Sequence, residues 1–338
     1  MKKTLLLVVL STLTLGLFAW NSPVTIPDVG NARLRIVGQN AHNYFFDITN
    51  SYSESKTEQA LATKTTKMAN AFVALEADIV ALCEVEECDT ILGMLVKRMN
   101  EIAGENNYTY IKDGTNSTYT KVGFIYRKDK VTPYQSTISA TTQYAYKMRL
   151  RIQAFKENST NEKFVLSMNH FKAKVNSDDE GESQRNRNTS DVINKLKSLN
   201  YDPDILIMGD LNAYTYEDCI QTLISSGYDE MLVQYDSNAY SYIYQGDRCL
   251  LDHAMANSTM AEQVTGARVY HINTSGGYNY KYSDHDAVLV GLSLGKQQRG
   301  ENLDDVSTTS RAHKVLHNGQ LYIEIDGVRF TITGTKIL

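Results

Sequence analysis

Acidic, amide and imidazole side chains recur where apolar runs of this chain begin or end. Asn40 closes RLRIVGQN, Glu84 follows DIVALC, His170 follows FVLSMN, Asp210 and Asn212 close ILIMGDLN, Asp252 follows Leu250-Leu251, and Asp284-His285 precede AVLVGL. A carboxylate can hold a hard cation or take a proton from water, an amide can donate to or accept from a phosphate, and an imidazole can change charge near neutral pH. Phosphoester hydrolysis needs these groups together: neutralised charge, an oriented water and a stabilised leaving oxygen. Each residue also has a structural reading. Asp210 and Asn212 suit a capped turn, Glu84 opens the acidic stretch EVEE, His170 suits a hydrogen-bonded core histidine, and Asp284 suits a solvated turn. Their common position at strand ends favours chemistry, because a rigid scaffold can hold a site there and leave it open. The two-residue spacing of Asp210 and Asn212 puts both on one side of an extended segment.

The elements that must position these residues are legible as short runs. RLRIVGQN, DIVALCEV, KVGFIYR, MRLRIQAF, KFVLSMNHF, DILIMGD, LLDHAMA and HDAVLVGLSL read as strands. Leu61, Met68, Phe72 and Leu75 fall near helical spacing between Lys56 and Leu75, as do Val192, Ile193, Leu196 and Leu199 after Ser190. Strand pairs in the middle with helices on the flanks argue for mixed sheets in an α/β sandwich.

The first 20 residues place Lys2 and Lys3 ahead of an apolar stretch from Leu5 to Phe18, the layout of a secretory signal and too short for a good membrane span. The rest of the 338 residues suffices for one large domain, expected over 30–295, and a small appendage. A net charge of −5 makes the whole chain no general polyanion binder, so a nucleic-acid site must be a local patch. Lys147, Arg149 and Arg151 alternate along one strand, and Lys172, Lys174, Arg185 and Arg187 follow His170. They are candidates for such a strip, with a solvated strand face as the rival reading. The four cysteines, Cys83, Cys88, Cys219 and Cys249, allow three pairings in an exported chain and match no zinc pattern. After Leu294 a polar linker spans 296–312. The alternating segment 313–338, with hairpin signals at Asn318-Gly319 and Asp326-Gly327, reads as a β-rich secretion or attachment tail.

The ordered set NAHNYFFD, ALCEVE, NHFK, GDLN, LDH and SDHD resembles the endonuclease/exonuclease/phosphatase superfamily over residues 34 to 294. The stretch from GDLNAYTYED through YSYIYQGDRCLLDHAMAN and VYHIN to YSDHDAV is similar to secreted bacterial extracellular nucleases. The resemblance implies a four-layer α/β sandwich, two packed mixed β-sheets flanked by helices. It implies Mg²⁺ as cofactor, with Mn²⁺ or a structural or co-activating Ca²⁺ as alternatives. Glu84 would be the metal ligand, assisted by Asn40 and Asp284. Asp210 would orient and deprotonate water, Asn212 steady the phosphate, Asp252 fix the tautomer of His285, and His170 bind phosphate or act as general acid. Arg127 and Lys172 would contact substrate phosphates. His253 and Asp286 flank the motifs and suit supporting hydrogen bonds. The function implied is a secreted, monomeric, metal-dependent endonuclease acting on extracellular DNA or RNA with little sequence specificity, its tail engaging secretion machinery. A phosphodiesterase or phosphatase acting on lipid or inositol phosphates is the alternative, and a non-catalytic surface-binding protein a third.

Overall fold

The apolar runs form strands buried on both faces, which explains why several read as nearly unbroken hydrophobic text. The computed structural model describes residues 22–112, 116–140, 150–174 and 179–295, and four short strands between 313 and 337. The expected signal at 1–20, the linker at 296–312, Lys147, Arg149 and the tail's two hairpin turns lie outside the described residues. The chain divides into two compact units, Met1–Lys296 and Gln297–Leu338.

In chain order the first half of the large unit contains β1 (Leu34–Tyr44), α1 (Glu58–Ala74), β2 (Ile79–Cys88), α2 (Asp89–Ala103), β3 (Tyr108–Tyr110), β4 (Asn116–Arg127) and β5 (Val131–Ala140). Next come β6 (Leu150–Glu157), β7 (Lys163–His170), α3 (Asp179–Ser198), β8 (Ile205–Asp210), α4 (Asp218–Ser225), β9 (Tyr228–Glu230) and α5 (Met231–Tyr235). The unit ends with β10 (Tyr242–Tyr244), β11 (Asp247–Cys249), β12 (Asp252–Asn257), α6 (Ser258–Ala261), β13 (Val264–Tyr270), α7 (Ile272–Ser275) and β14 (Ala287–Leu292).

Two six-stranded mixed sheets result, ordered β13-β14-β1-β2-β4-β3 and β5-β6-β7-β8-β12-β9, with β10 and β11 as a separate hairpin. Leu34, Ile36, Ile79, Ala81 and Phe124 from the first sheet meet Phe155, Phe164, Leu166, Met168, Leu206 and Met208 from the second. The opposite faces are covered by helices. Val37, Val80 and Leu82 pack with Met68, Phe72 and Leu92 of α1 and α2, while Ile152, Val165 and Ile207 pack with Val192, Leu196 and Leu223 of α3 and α4. This is the four-layer α/β sandwich. Among the described residues no helix is long and apolar enough to cross a membrane.

α1 starts where expected because Thr57 accepts the Ala60 N–H at 3.1 Å, and its buried stripe includes Leu61, Met68 and Phe72. α2 was not anticipated from spacing; it follows β2 without a loop and ends on Gly104 in the left-handed region. α3 begins eleven residues before Ser190, in polar text that carries no apolar period. The four cysteines are free and buried, so no disulfide supports the fold. In the second unit β15 (His313–His317), β16 (Gln320–Ile325), β17 (Val328–Thr331) and β18 (Lys336–Ile337) form an antiparallel sheet in that order.

Candidate active site

Three neighbouring strands of the second sheet align one row of polar residues. His170 on β7 is the parallel partner of Asp210 on β8, and Asp252 on β12 is the antiparallel partner of the same residue. Residues directly opposite across strands share a face, so all three side chains point together. Gly209 lets the two strands close at this point: its φ is +135°, and a Cβ there would lie 1.9 Å from the Asn169 carbonyl oxygen.

The first sheet supplies the other wall through irregularities. The β1–β2 register shifts between Asn40 and Tyr44, and the β2–β4 register shifts between Leu82 and Val85. Such bulges re-aim side chains out of the ladder. Glu84 sits in the second with φ +55°, and His42 and Asn43 follow Asn40 at +48° and +50°. Left-handed backbone in non-glycine residues is sparsely populated, and its concentration here is the strain expected at a functional site.

Asn40 bridges the two sheets. Its amide nitrogen donates to Glu84 Oε1 at 3.1 Å and to Asp210 Oδ2 at 3.0 Å, while its oxygen accepts the His42 N–H at 2.8 Å. Glu84 Oε2 accepts the Asn43 N–H at 3.0 Å. His170 Nε2 stands 3.5 Å from Glu84 Oε1 and 3.8 Å from Asp210 Oδ2. Across the gap His285 Nε2 is also 3.8 Å from Asp210 Oδ2, and its Nδ1 donates to Asp252 Oδ2 at 2.7 Å. Two residues remote in sequence thus meet at the separation their pairing requires. Tyr242 packs against the imidazole, ring centroids 4.7 Å apart.

Asp210 is buried, which raises its pKa; the facing His285 opposes that rise. For His285, burial disfavours the charged ring, but Asp252 and Asp210 outweigh it and push the pKa up to about 10. The two carboxylates thus favour the charged ring, whose Nε2 faces Asp210. Among the described residues two sets of ligand atoms lie within 4.8 Å of one another, Glu84/His170/Asp210 and Asp210/Asp252/His285.

Other expected residues take different positions. β8 does not stay extended through Asn212; that residue has φ +50°, its N–H donates to Asp210 Oδ1 at 3.0 Å, and its side-chain amide donates to the Phe171 carbonyl at 3.3 Å. The turn and the site are therefore one feature. Asn40, expected at the metal, presents a donor NH₂ to the acids and so braces them. Asp284 belongs to neither ligand set and lies at the rim, its Oδ1 3.8 Å from His42 Nδ1. Arg127 is not at the site: β4 runs antiparallel to β2, so the end of β4 lies beside Asp78 at the start of β2, and Arg127 pairs there with Glu105 and Asp129.

Lys172 is half-buried two residues beyond His170. Among the described residues the basic candidates do not line up as one strip. Arg151 is buried and donates to the Val122 carbonyl of the other sheet, Arg185 is buried beside Glu217, and Lys174 pairs with Glu217. Arg187 is exposed on α3. His253 and Asp286 support the site from behind. His253 lies between Glu230 (2.6 Å) and the Ala213 carbonyl (2.9 Å), and Asp286 accepts from His271, Asn273 and Thr274. Sequence reading missed His42, the Asn43 N–H and Lys64, whose buried ammonium holds the His42 carbonyl at 2.8 Å and Glu54 at 3.1 Å. The only signal was their position after Asn40 or on the adjacent helix.

A model of the endonuclease/exonuclease/phosphatase family matches residues 43–301. No curated protein gives a significant sequence match. Among solved structures, the endonuclease/exonuclease/phosphatase from Bacteroides vulgatus superposes with a TM-score of 0.58 at 18% identity, covering 77% of this chain and 98% of that one. A mannosyl-6-phosphatase from Bacteroides thetaiotaomicron gives 0.57 at 16%, covering 77% and 100%. TDP2 from D. rerio, complexed with a single-strand DNA product, gives 0.57 at 17%, covering 77% and 98%.

Proposed function

This chain belongs to the endonuclease/exonuclease/phosphatase family, and we propose that it is an exported, metal-dependent nuclease that hydrolyses phosphodiester bonds of extracellular DNA, with RNA as a second substrate. The observation that carries this reading is the facing arrangement of Asp210 and the Asp252–His285 pair, with Asn40, Glu84 and His170 closing the same space. A phosphate held there meets a base on one side and a charged donor on the other.

The donor set fits a hard divalent cation. Glu84 is a half-buried carboxylate whose set of ligand atoms includes the Asp210 carboxylate and His170, and one or two carboxylates suffice for Mg²⁺, which keeps several waters. Glu84 would hold it, with Asp284 at the rim and Asn40 fixing the Glu84 carboxylate. When bound, the cation neutralises charge developing on the phosphoryl oxygens. Asp210 orients the attacking water and takes its proton as the new P–O bond forms. His285, kept charged by Asp252, donates from Nε2 to a phosphoryl oxygen, and Asn212 steadies the group from the turn. His170 hydrogen-bonds the phosphate or passes a proton to the leaving oxygen as the old P–O bond breaks. The tail at 313–338 and the expected signal at 1–20 fit export and attachment.

The test is incubation of the protein with plasmid, RNA and small phosphomonoesters, including a sugar phosphate and an inositol phosphate, in Mg²⁺ and in EDTA. Plasmid cleavage in Mg²⁺ alone is expected, and Glu84→Gln should lose it by about a hundredfold or more while folding normally. Rapid hydrolysis of a monoester with no cleavage of nucleic acid would replace this reading by a phosphatase.

A further inference from the structure

Two pairs of tyrosines, joined through Cys249, lie between His285 and the surface. Tyr242 lies against the imidazole, and Tyr244, two residues on, shares its face of β10 by the alternation of strand side chains. Tyr242 is paired across the hairpin with Cys249, whose Sγ is 3.8 Å from the Tyr214 hydroxyl. Tyr214 stands two residues after Asn212 and stacks on Tyr216, centroids 5.6 Å apart and planes inclined by 28°, with Lys174 Nζ 4.6 Å above the Tyr214 ring. The outer members are not covered: Tyr216 is 77% exposed and Tyr244 52%. Exposed aromatic rings grouped beside a polar cleft mark a ligand-binding surface.

Resting on the nuclease reading above, we propose that this group of tyrosines is a subsite for unpaired nucleobases next to the scissile phosphate. A ring face can stack on a base only if the base face is free, and inside a duplex both faces are covered by neighbouring pairs. Stacking is tolerant of sequence, since every base has a π-face, and Lys174, held by Glu217, fixes the Tyr214 ring in place from above. The enzyme therefore prefers single strands, frayed ends and loops to intact duplex.

The test compares a short single-stranded thymidine oligonucleotide, the same oligonucleotide made abasic, and its duplex, all in Mg²⁺, for the full chain and for Tyr216→Ala, Tyr244→Ala and Tyr244→Phe. The abasic strand keeps every phosphate and loses every stacking face. Wild type is expected to show a KM about tenfold lower on the normal strand than on the abasic one. Each alanine variant should bring that ratio toward one by raising KM on the normal strand, and Tyr244→Phe should restore it. Equal KM values on normal and abasic strands in wild type would overturn the subsite and leave the nuclease reading standing. No cleavage of any strand would overturn the nuclease reading itself. Weakened hydrolysis of a sugar phosphate in the alanine variants, with the oligonucleotide ratio unchanged, would reassign the tyrosines to a sugar face.

Discussion

The two faces of β12 carry the same chemistry for opposite purposes. Asp252 and His253 are adjacent, so they point to opposite sides of the strand. Asp252 turns to the cleft and pairs with His285, whose second nitrogen is left facing Asp210 at 3.8 Å. His253 turns away and is held at both nitrogens, by Glu230 at 2.6 Å and by the Ala213 carbonyl at 2.9 Å, with no exposure. A histidine–carboxylate pair becomes an instrument when one ring nitrogen is kept for a visitor; with both engaged it is a clamp. His253 fastens the chain immediately after Asn212, so the clamp on one face keeps the turn on the other in place.

Removing each pair in turn should separate the two roles. His285→Ala should lower kcat by about a thousandfold or more; it also leaves the buried Asp252 carboxylate without its partner, so stability should fall too, but by less than the activity. Steady-state cleavage and thermal unfolding of the same preparation check both halves. If stability fell as far as activity, His285 would be a clamp as well.

Glu230→Gln should do the reverse. It leaves a buried imidazolium without its counter-charge and is expected to cost about 3–5 kcal/mol in chemical denaturation. Whatever folded protein remains should keep its metal dependence and cleave within about tenfold of wild type. A fully stable, inactive Glu230→Gln would move His253 into the chemistry.

The smallest effect is on pH dependence. The folded pKa of His285 is raised to about 10 from 6.5, and that of His253 is also raised, burial opposing and Glu230 prevailing. Both rings bind protons more tightly folded than unfolded. Their contribution is full below about pH 6.5 and lost as pH rises through the folded values. In EDTA, wild-type stability should fall between neutral pH and about pH 10, and His285→Ala should fall less steeply. Parallel curves would remove the charged-ring assignment.

Strand ends were legible because apolar or alternating runs start or stop at polar residues, and the eight such runs are strands of the two sheets. What the text could not supply was direction and depth. Arg127 closes an apolar run just as His170 does, but whether a strand's end faces the site depends on its pairing, and antiparallel β4 carries Arg127 to the wrong end. Arg151 was misread because alternation exposes one face only when that face meets water. In a four-layer fold both faces of a central strand are covered. The left-handed turns at His42, Glu84 and Asn212 left no mark, since none is glycine. The signal and the linker lie outside the described residues, and of the tail only its four strands are described; secretion and attachment stand as proposals.

The central claim is that Asp252 acts through His285, with the phosphate between that ring and Asp210. It is tested most directly by plasmid cleavage in excess Mg²⁺ for Asp252→Asn, His285→Ala and the double variant. Each single change should cut the rate by orders of magnitude, and the double variant should be little slower than His285→Ala alone, as for groups working as one unit. Fully multiplicative losses would mean that the two residues act independently and that the 2.7 Å pair is not the working element of the site.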